Sequence, residues 1–415
     1  MRFRFSLRLF LIFFTLTAVL FGAATNWALS IRNQVRRHQE AVQFLKGIYC
    51  EIEVDGRSTS NRKPATRYTQ FVRRWIDANY GQAAGRVDFG YDRKLSREQA
   101  ILCLTSLKHV QGVDSLDLVL DELTPDIRRL IDVHRGLKSL YLTYDHATAG
   151  ASENWSCFQS LESLSLSATL SDEAFISIAA LPGLQSLTID TTHLTQKSAE
   201  AAMRLIHLEQ LCISGELKNQ TWFTSILGLP KLESLTLSRA RIDKEVLPAL
   251  KLAKSLKRVS LFSEVDAPNK FFFALAKAPQ LQTLTVMLGD EEEKFPDLAG
   301  IADCVHLRQI DFWDREFTAK QLLSLRKLTS LEAISFTGLL DKNTLRHFLT
   351  EHPKCILKMS SPSRMNRLPD GWHCRMETDK LICEPYIYPK CGMSAGMLES
   401  NEEIQLAEHP PANPN

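Results

Sequence analysis

One arrangement of apolar and polar positions dominates the chain: apolar-x-x-apolar-x-apolar. It recurs ten times, at Val113/Leu116/Leu118, Leu137/Leu140/Leu142, Leu161/Leu164/Leu166, Leu184/Leu187/Ile189, Leu208/Leu211/Ile213, Leu232/Leu235/Leu237, Leu256/Val259/Leu261, Leu281/Leu284/Val286, Leu307/Ile310/Phe312 and Leu331/Ile334/Phe336. The first members stand 24, 24, 23, 24, 24, 24, 25, 26 and 24 residues apart, a register that chance does not produce. Alternation across the last positions predicts a short strand with its apolar side chains on one face. After each strand the pattern lengthens to a helical period. Residues 172–181 carry apolar Phe175, Ile178, Ala179 and Leu181, and Ser171 stands where an N-cap is needed. Another apolar column lies three residues before each repeat start, at Phe158, Leu181, Leu205, Leu229, Ala253, Ala278, Cys304 and Leu328. No single unit of this size closes a core, so stacked units are predicted, with strands along one side and helices along the other. A strand at Val87–Phe89 is expected to open the sheet, and Ile356–Met359 to add one at its end.

These residues carry a resemblance. Leu161-x-x-Leu164-x-Leu166 and Leu232-x-x-Leu235-x-Leu237-x-x-x-x-Ile242 resemble the leucine-rich-repeat family in its longer, helix-containing form, over about residues 84–352. The fold class implied is α/β: a leucine-rich-repeat solenoid, with a curved parallel sheet and convex helices, here preceded by one transmembrane helix. The family's Asn after the strand is missing, and its slot holds Thr169, Thr192 and Ala240. A Thr hydroxyl replaces part of the backbone bonding of an Asn ladder and Ala240 replaces none, so irregular curvature is expected. The resemblance implies binding of a protein or peptide on the concave sheet face, with no catalytic residue, cofactor or metal.

Two outward strand columns describe that face. The column between the last two apolar members reads Asp117, Tyr141, Ser165, Thr188, Cys212, Thr236, Ser260, Thr285, Asp311 and Ser335, mostly small hydroxyls suited to an exposed strand. The next reads Val119, Thr143, Ser167, Asp190, Ser214, Ser238, Phe262, Met287, Trp313 and Thr337. Phe262, Met287 and Trp313 fall on successive strands and form a stripe roughly 10 Å long if strands lie about 4.8 Å apart. Large exposed apolar groups mark contact sites. Two occupants are open: a partner, or this chain's own loop or C-terminal tail.

The N-terminus has a different character. No charge occurs from Leu9 to Ile31, Arg2, Arg4 and Arg8 precede that run, and Arg32, Arg36 and Arg37 follow it. As a helix the run is long enough for a hydrocarbon core of about 30 Å, and Trp27 stands near one interface. Residues 1–31 are therefore expected to be a single-pass signal anchor. Cleavage after Gly22-Ala23-Ala24 is the competing reading, but the apolar run continues past it. The basic flanks are nearly balanced, which leaves orientation open, with the extracytoplasmic side as the expectation for the bulk of the chain. The short basic start and single span resemble those of bacterial signal-anchored leucine-rich-repeat proteins. Residues 32–63 read as a stalk, in which Gln34–Leu45 is expected to be a polar helix leaving the membrane, 64–112 as an N-terminal cap and first strand, 113–352 as the repeats, and 353–415 as a C-terminal cap with a largely irregular tail broken by Pro362, Pro369, Pro385 and Pro389. Within the cap, Tyr68–Tyr80 is amphipathic, and Phe71 and Trp75 are expected in its core.

Composition narrows the function. Lys plus Arg number 50 and Asp plus Glu 48, a net charge of +2, so no basic field calls for nucleic acid. Glu291-Glu292-Glu293 reads as a solvated loop. Of nine cysteines, none forms a C-x-x-C pair. Cys355, Cys374, Cys383 and Cys391 cluster in the tail, either as disulfides of undetermined connectivity or as free thiols. Phosphate-binding, zincin and nucleophile-elbow motifs are all missing, and His373-Cys374 is an adjacent pair with no catalytic arrangement implied. Asn154-Trp-Ser156 and Asn219-Gln-Thr221 match glycosylation acceptors and carry no weight. Three readings follow: an anchored protein-binding module, an envelope spacer without a discrete ligand, and an enzyme that lacks any residue to stand on.

Overall fold

The computed structural model describes residues 7–47, 51–53, 86–89, 94–110, 112–147, 154–217, 220–242, 245, 247–262, 268–287, 298–338, 340–360, 370–377 and 380–387. Within these spans the side chains of 7–14, of Trp27 and Trp313, and of 370–387, among others, lie outside the description. Among the described residues, one sheet of 15 strands runs in strict chain order. Strand β1 (Glu51–Glu53) lies antiparallel to β2 (Arg86–Asp88). Twelve parallel strands then stack in chain order: β2, β3 (Ser115–Leu123), β4 (Ser139–Ala147), β5 (Ser163–Thr169), β6 (Ser186–Asp190), β7 (Gln210–Leu217), β8 (Ser234–Ile242), β9 (Arg258–Phe262), β10 (Thr283–Met287), β11 (Gln309–Glu316), β12 (Ala333–Thr337) and β13 (Ile356–Ser360). The antiparallel hairpin of β14 (Asp370–Glu377) and β15 (Lys380–Ile387) follows β13.

Behind the strands lie α2 (Arg97–Leu107), α3 (Pro125–Asp132), α4 (Asp172–Ala179), α5 (Gln196–Ala202), α6 (Gln220–Leu227), α7 (Pro268–Leu275), α8 (Ala319–Ser324) and α9 (Lys342–Glu351). Two repeats use the 3₁₀ turns Leu247–Leu252 and Leu298–Asp303 instead. The helices start where side chains satisfy their first N–H groups. Ser171 Oγ accepts from Ala174 N at 3.2 Å, and Ser96 with Gln99 forms a capping box.

The register is that of the sequence pattern. All thirty members of the ten triplets are buried, none more than 8% exposed, and so is every member of the column ahead of them. The segments leading into the strands share a second ladder. Lys138 N and Ser139 N both donate to Asp114 O, at 2.7 and 3.0 Å. The same forked arrangement recurs at Glu162/Ser163, Gln185/Ser186, Glu209/Gln210, Glu233/Ser234, Lys257/Arg258, Gln282/Thr283, Arg308/Gln309 and Glu332/Ala333. Each repeat thus satisfies its neighbour's backbone before the parallel ladder begins. This is a parallel strand-plus-helix solenoid.

The regularity fails toward the ends of three strands. Pairing shifts between Ser165 and Thr169 against β6, between Ile213 and Gly215 against β8, and between Phe312 and Glu316 against β12. At the second of these, Gly215 has φ +82°, and a Cβ there would run into Thr192 Oγ1 and meet Asp190 Oδ1 at 2.6 Å. Only glycine fits. Its partner Ala240 is buried and offers no side-chain bond.

The segment before β5 lacks a convex helix among the described residues, and a buried arginine holds it. The Arg128 guanidinium lies 4.0 Å from the Trp155 ring centroid, pairs with Asp132 at 2.8 Å and donates to Asn154 O at 2.6 Å. Pairing and ring stacking are what make burial of this cation tolerable.

The N-terminal end differs most from the sequence reading. α1 (Leu7–Gly47) is one continuous helix of 41 residues. Its last turns bury His38, Ala41 and Leu45, and Ala41 and Leu45 belong to the same core as α2. The first part of the expected stalk is therefore a docked helix that covers the end of the solenoid. The cap expected at Tyr68–Tyr80, with Phe71 and Trp75, lies outside the described residues. So do Glu291–Glu293 and the tail beyond 387. The expected anchor maps onto the first half of α1, where Val19, Phe21 and Leu29 are exposed. Among the described residues, no helix is long and apolar enough to cross a membrane.

Candidate binding surface

Strand alternation sends every second side chain to the sheet face away from the core. On β9 the pattern is Arg258 exposed, Val259 buried, Ser260 half-buried, Leu261 buried and Phe262 half-buried. β10 repeats it with half-buried Thr283, Thr285 and Met287. The register pairs Met287 with Phe262 on one side and with Trp313 on the other. The three residues of the expected stripe are thus nearest neighbours across β9, β10 and β11. Phe262 and Met287 are the last residues of their strands, so the stripe lies along the rim where the strands end.

Trp313 sits at a break. It pairs with β10, but β12 resumes pairing only at Glu316, opposite Thr337. The ladder to β12 is therefore interrupted by a bulge at Trp313. Phe317 then turns back into the core, stacked between Phe312 and Phe336 at centroid distances of 5.1 and 4.8 Å. Bulges of this kind re-aim side chains beside functional sites. The Trp313 side chain itself lies outside the described residues.

The surroundings are polar. Gln309 Nε2 donates to Asp311 Oδ2 at 2.9 Å in the columns beside the stripe, and Arg258 adds an exposed cation. Toward the middle of the sheet the same columns hold Ser163, Ser165, Ser167, Thr188, Ser214 and Thr236, none of them large. Cys212 is a half-buried thiol in this stretch, and burial raises its pKa. At the opposite end of the sheet, Arg86 pairs with Asp117 and, at 3.4 Å, with Asp88.

Other candidate chemistry does not converge. Among the described residues, no three His, Cys, Asp or Glu side chains come together to hold a metal ion. His373 and Cys374 lie on β14, opposite Glu384 and Cys383 respectively. Asn154 is exposed, with Oδ1 accepting from Ser156 N at 3.0 Å and Ser156 Oγ at 2.6 Å, while Asn219 lies outside the described residues. A cavity of about 580 Å³ opens at the other ends of the strands, lined by Gln282, His306, Arg308, Glu332 and Lys354 among others. Arg308 and Glu332 pair there at 3.4 Å. Sequence reasoning did not single out this groove, because its residues come from four separate loops.

No family model matches the chain, and no curated protein matches it. Among solved structures it is similar to an internalin from Listeria monocytogenes. That likeness has 14% identity and a TM-score of 0.38, covering 66% of this chain and 85% of the internalin chain. The fold is defined instead by this chain's own register and burial: a parallel strand-plus-helix solenoid, closed by antiparallel strands at both ends.

Proposed function

We propose that this chain is a membrane-anchored leucine-rich-repeat module that binds a protein or peptide partner on its concave sheet face, with Phe262, Met287 and Trp313 as the contact. The observation that carries this reading is the adjacency of the three residues across β9, β10 and β11, ending at a bulge, on a face whose middle strands carry mostly small hydroxyls. Aromatic and Met side chains are the types enriched at contact surfaces, and a polar surround suits the rim of an interface. The partner is not a nucleic acid, and the chain acts by binding, without cofactor or catalysis. Residues 9–31 serve as a single-pass anchor; their lack of charge, the arginines on both sides and exposed Val19, Phe21 and Leu29 support this. The solenoid occupies the extracytoplasmic side.

The test uses the full chain, wild type against Phe262→Ser/Met287→Ser/Trp313→Ser, to capture partners from a membrane extract of the source cells. Each buried anchor contributes about 2 kcal/mol or more, so the triple change is expected to weaken capture at least ~100-fold. Unfolding is expected to stay cooperative. Capture unaffected by the triple change refutes the stripe, and lack of any saturable partner favours a spacer. Retention in membranes after an alkaline carbonate wash tests the anchor; release of the intact chain refutes it.

A further inference from the structure

The fold sorts the tail cysteines. Cys355 is fully buried beside α9 and β13 as a free thiol, and burial pushes its pKa to about 12. Such a thiol is withdrawn from exchange chemistry. Cys374 on β14 and Cys383 on β15 are direct register partners. The innermost pair of this hairpin is Glu377↔Lys380, which leaves two residues between the strands. A two-residue hairpin closes on a hydrogen-bonded pair, and the pairs alternate from there. Arg375↔Ile382 is then hydrogen-bonded, while Met376↔Leu381 and Cys374↔Cys383 are not. In a non-hydrogen-bonded pair the Cα atoms are about 4.5 Å apart, within the ~4.4–6.8 Å that a disulfide spans. Register partners also share one face of the ribbon.

We propose that Cys374 and Cys383 form a cross-strand disulfide that staples the C-terminal hairpin onto the end of the sheet. The oxidant is the disulfide of a thiol oxidoreductase. The Cys374 thiolate attacks one sulfur of that disulfide and displaces the other as a thiolate, leaving a mixed disulfide. The Cys383 thiolate then attacks the Cys374 sulfur and releases the oxidoreductase as its dithiol. Two electrons pass to the oxidoreductase, and the two protons lost by the cysteines end on its thiols. Among the described residues, β15 is the outermost strand of the sheet. The bond closes a loop over eight intervening residues and keeps this edge from fraying. It persists only in an oxidising compartment, so it also reports which side of the membrane the solenoid occupies.

The test takes the full-length protein in its native membranes, trapped with iodoacetamide and digested with trypsin without reductant. Cleavage at Arg375, Lys380 and Lys390 puts Cys374, Cys383 and Cys391 in three different peptides. The expected product is residues 368–375 joined to residues 381–390, separating on reduction. Alkylated Cys374 and Cys383, or either joined to Cys391, overturns the proposal. In limited proteolysis of the folded chain, Cys374→Ser and Cys383→Ser are each expected to speed cleavage after Arg375 and Lys380 roughly tenfold, as is reduction of the wild type. Cleavage insensitive to reduction overturns the stapling role.

Discussion

Replacing Leu45 with Ala tests whether α1 is the end cap of the solenoid or a stalk that merely leaves it. Leu45 is fully buried, while its neighbour Phe44 is 37% exposed on the same turn. Truncating a buried Leu to Ala costs about 2–5 kcal/mol, combining lost transfer energy with the cavity left behind. The site lies under a single covering helix that can settle inward, so a value near 2–3 kcal/mol is expected. Repeats touch only their neighbours, which confines the damage to the near end. The residues uncovered belong to α2, whose buried face is Ala100, Cys103, Leu104 and Leu107. Hydrogen exchange of the full-length protein in detergent micelles reads this directly. If α2 amides exchange through local opening of this end, 2–3 kcal/mol becomes a roughly 30- to 150-fold faster rate. Amides of α9, at the other end, stay at the wild-type rate, and Phe44→Ala has a small effect. The docking argument fails if Leu45→Ala changes α2 exchange by less than about threefold, or if the two substitutions behave alike.

Two further changes probe the repeat core and a helix start. Leu187→Asp puts a carboxylate without a partner at a fully buried position of β6, at an expected cost above ~4 kcal/mol; an undiminished cooperative melt by circular dichroism would contradict the register. Asp341 caps α9, accepting from Thr344 Oγ1 at 2.6 Å, Thr344 N at 2.9 Å and Asn343 N at 3.0 Å. The Thr344 hydroxyl first, then the Thr344 N–H, hold its carboxyl below the ordinary 3.8. A lowered folded pKa contributes stability that is present above the unfolded value and lost as pH falls through the folded one. Asp341→Ala is thus expected to cost about 1 kcal/mol at pH 7 in urea titrations, with the gap narrowing below pH 3.8. A gap constant down to the lowest pH at which the fold survives would refute the capping account.

Much of the solenoid was legible before any coordinates. Every triplet position and every member of the preceding column is buried, including the unobvious Ala253, Ala278 and Cys304. Ser171 caps α4 as its place ahead of the apolar period required. The strand at Ile356 is present, and the one at Val87 opens the parallel run, with β1 added outside it. Irregularity also has a location, the ends of strands: two register shifts follow the third apolar position, after Ile213 and Phe312, and one begins a residue earlier, after Ser165. That Trp313 stands at one of these shifts was not legible, because a bulge depends on how two strands 24 residues apart resume pairing.

The sequence by itself determined which residues face inward. A two-residue strand period and a repeat of about 24 residues are local properties, and burial of one apolar face follows wherever such units stack. It determined in the same way that Phe262, Met287 and Trp313 fall on successive strands. Tertiary structure alone decided what closes the two ends. Gln34–Leu45 reads as polar along the chain, yet its few apolar positions meet the open face of α2 and finish the core there. The prolines after Pro353 suggest an irregular tail, yet residues 370–387 form a hairpin that brings Cys374 opposite Cys383. An end cap has no neighbour to repeat, so no period announces it; it is recognised only by the surface it covers.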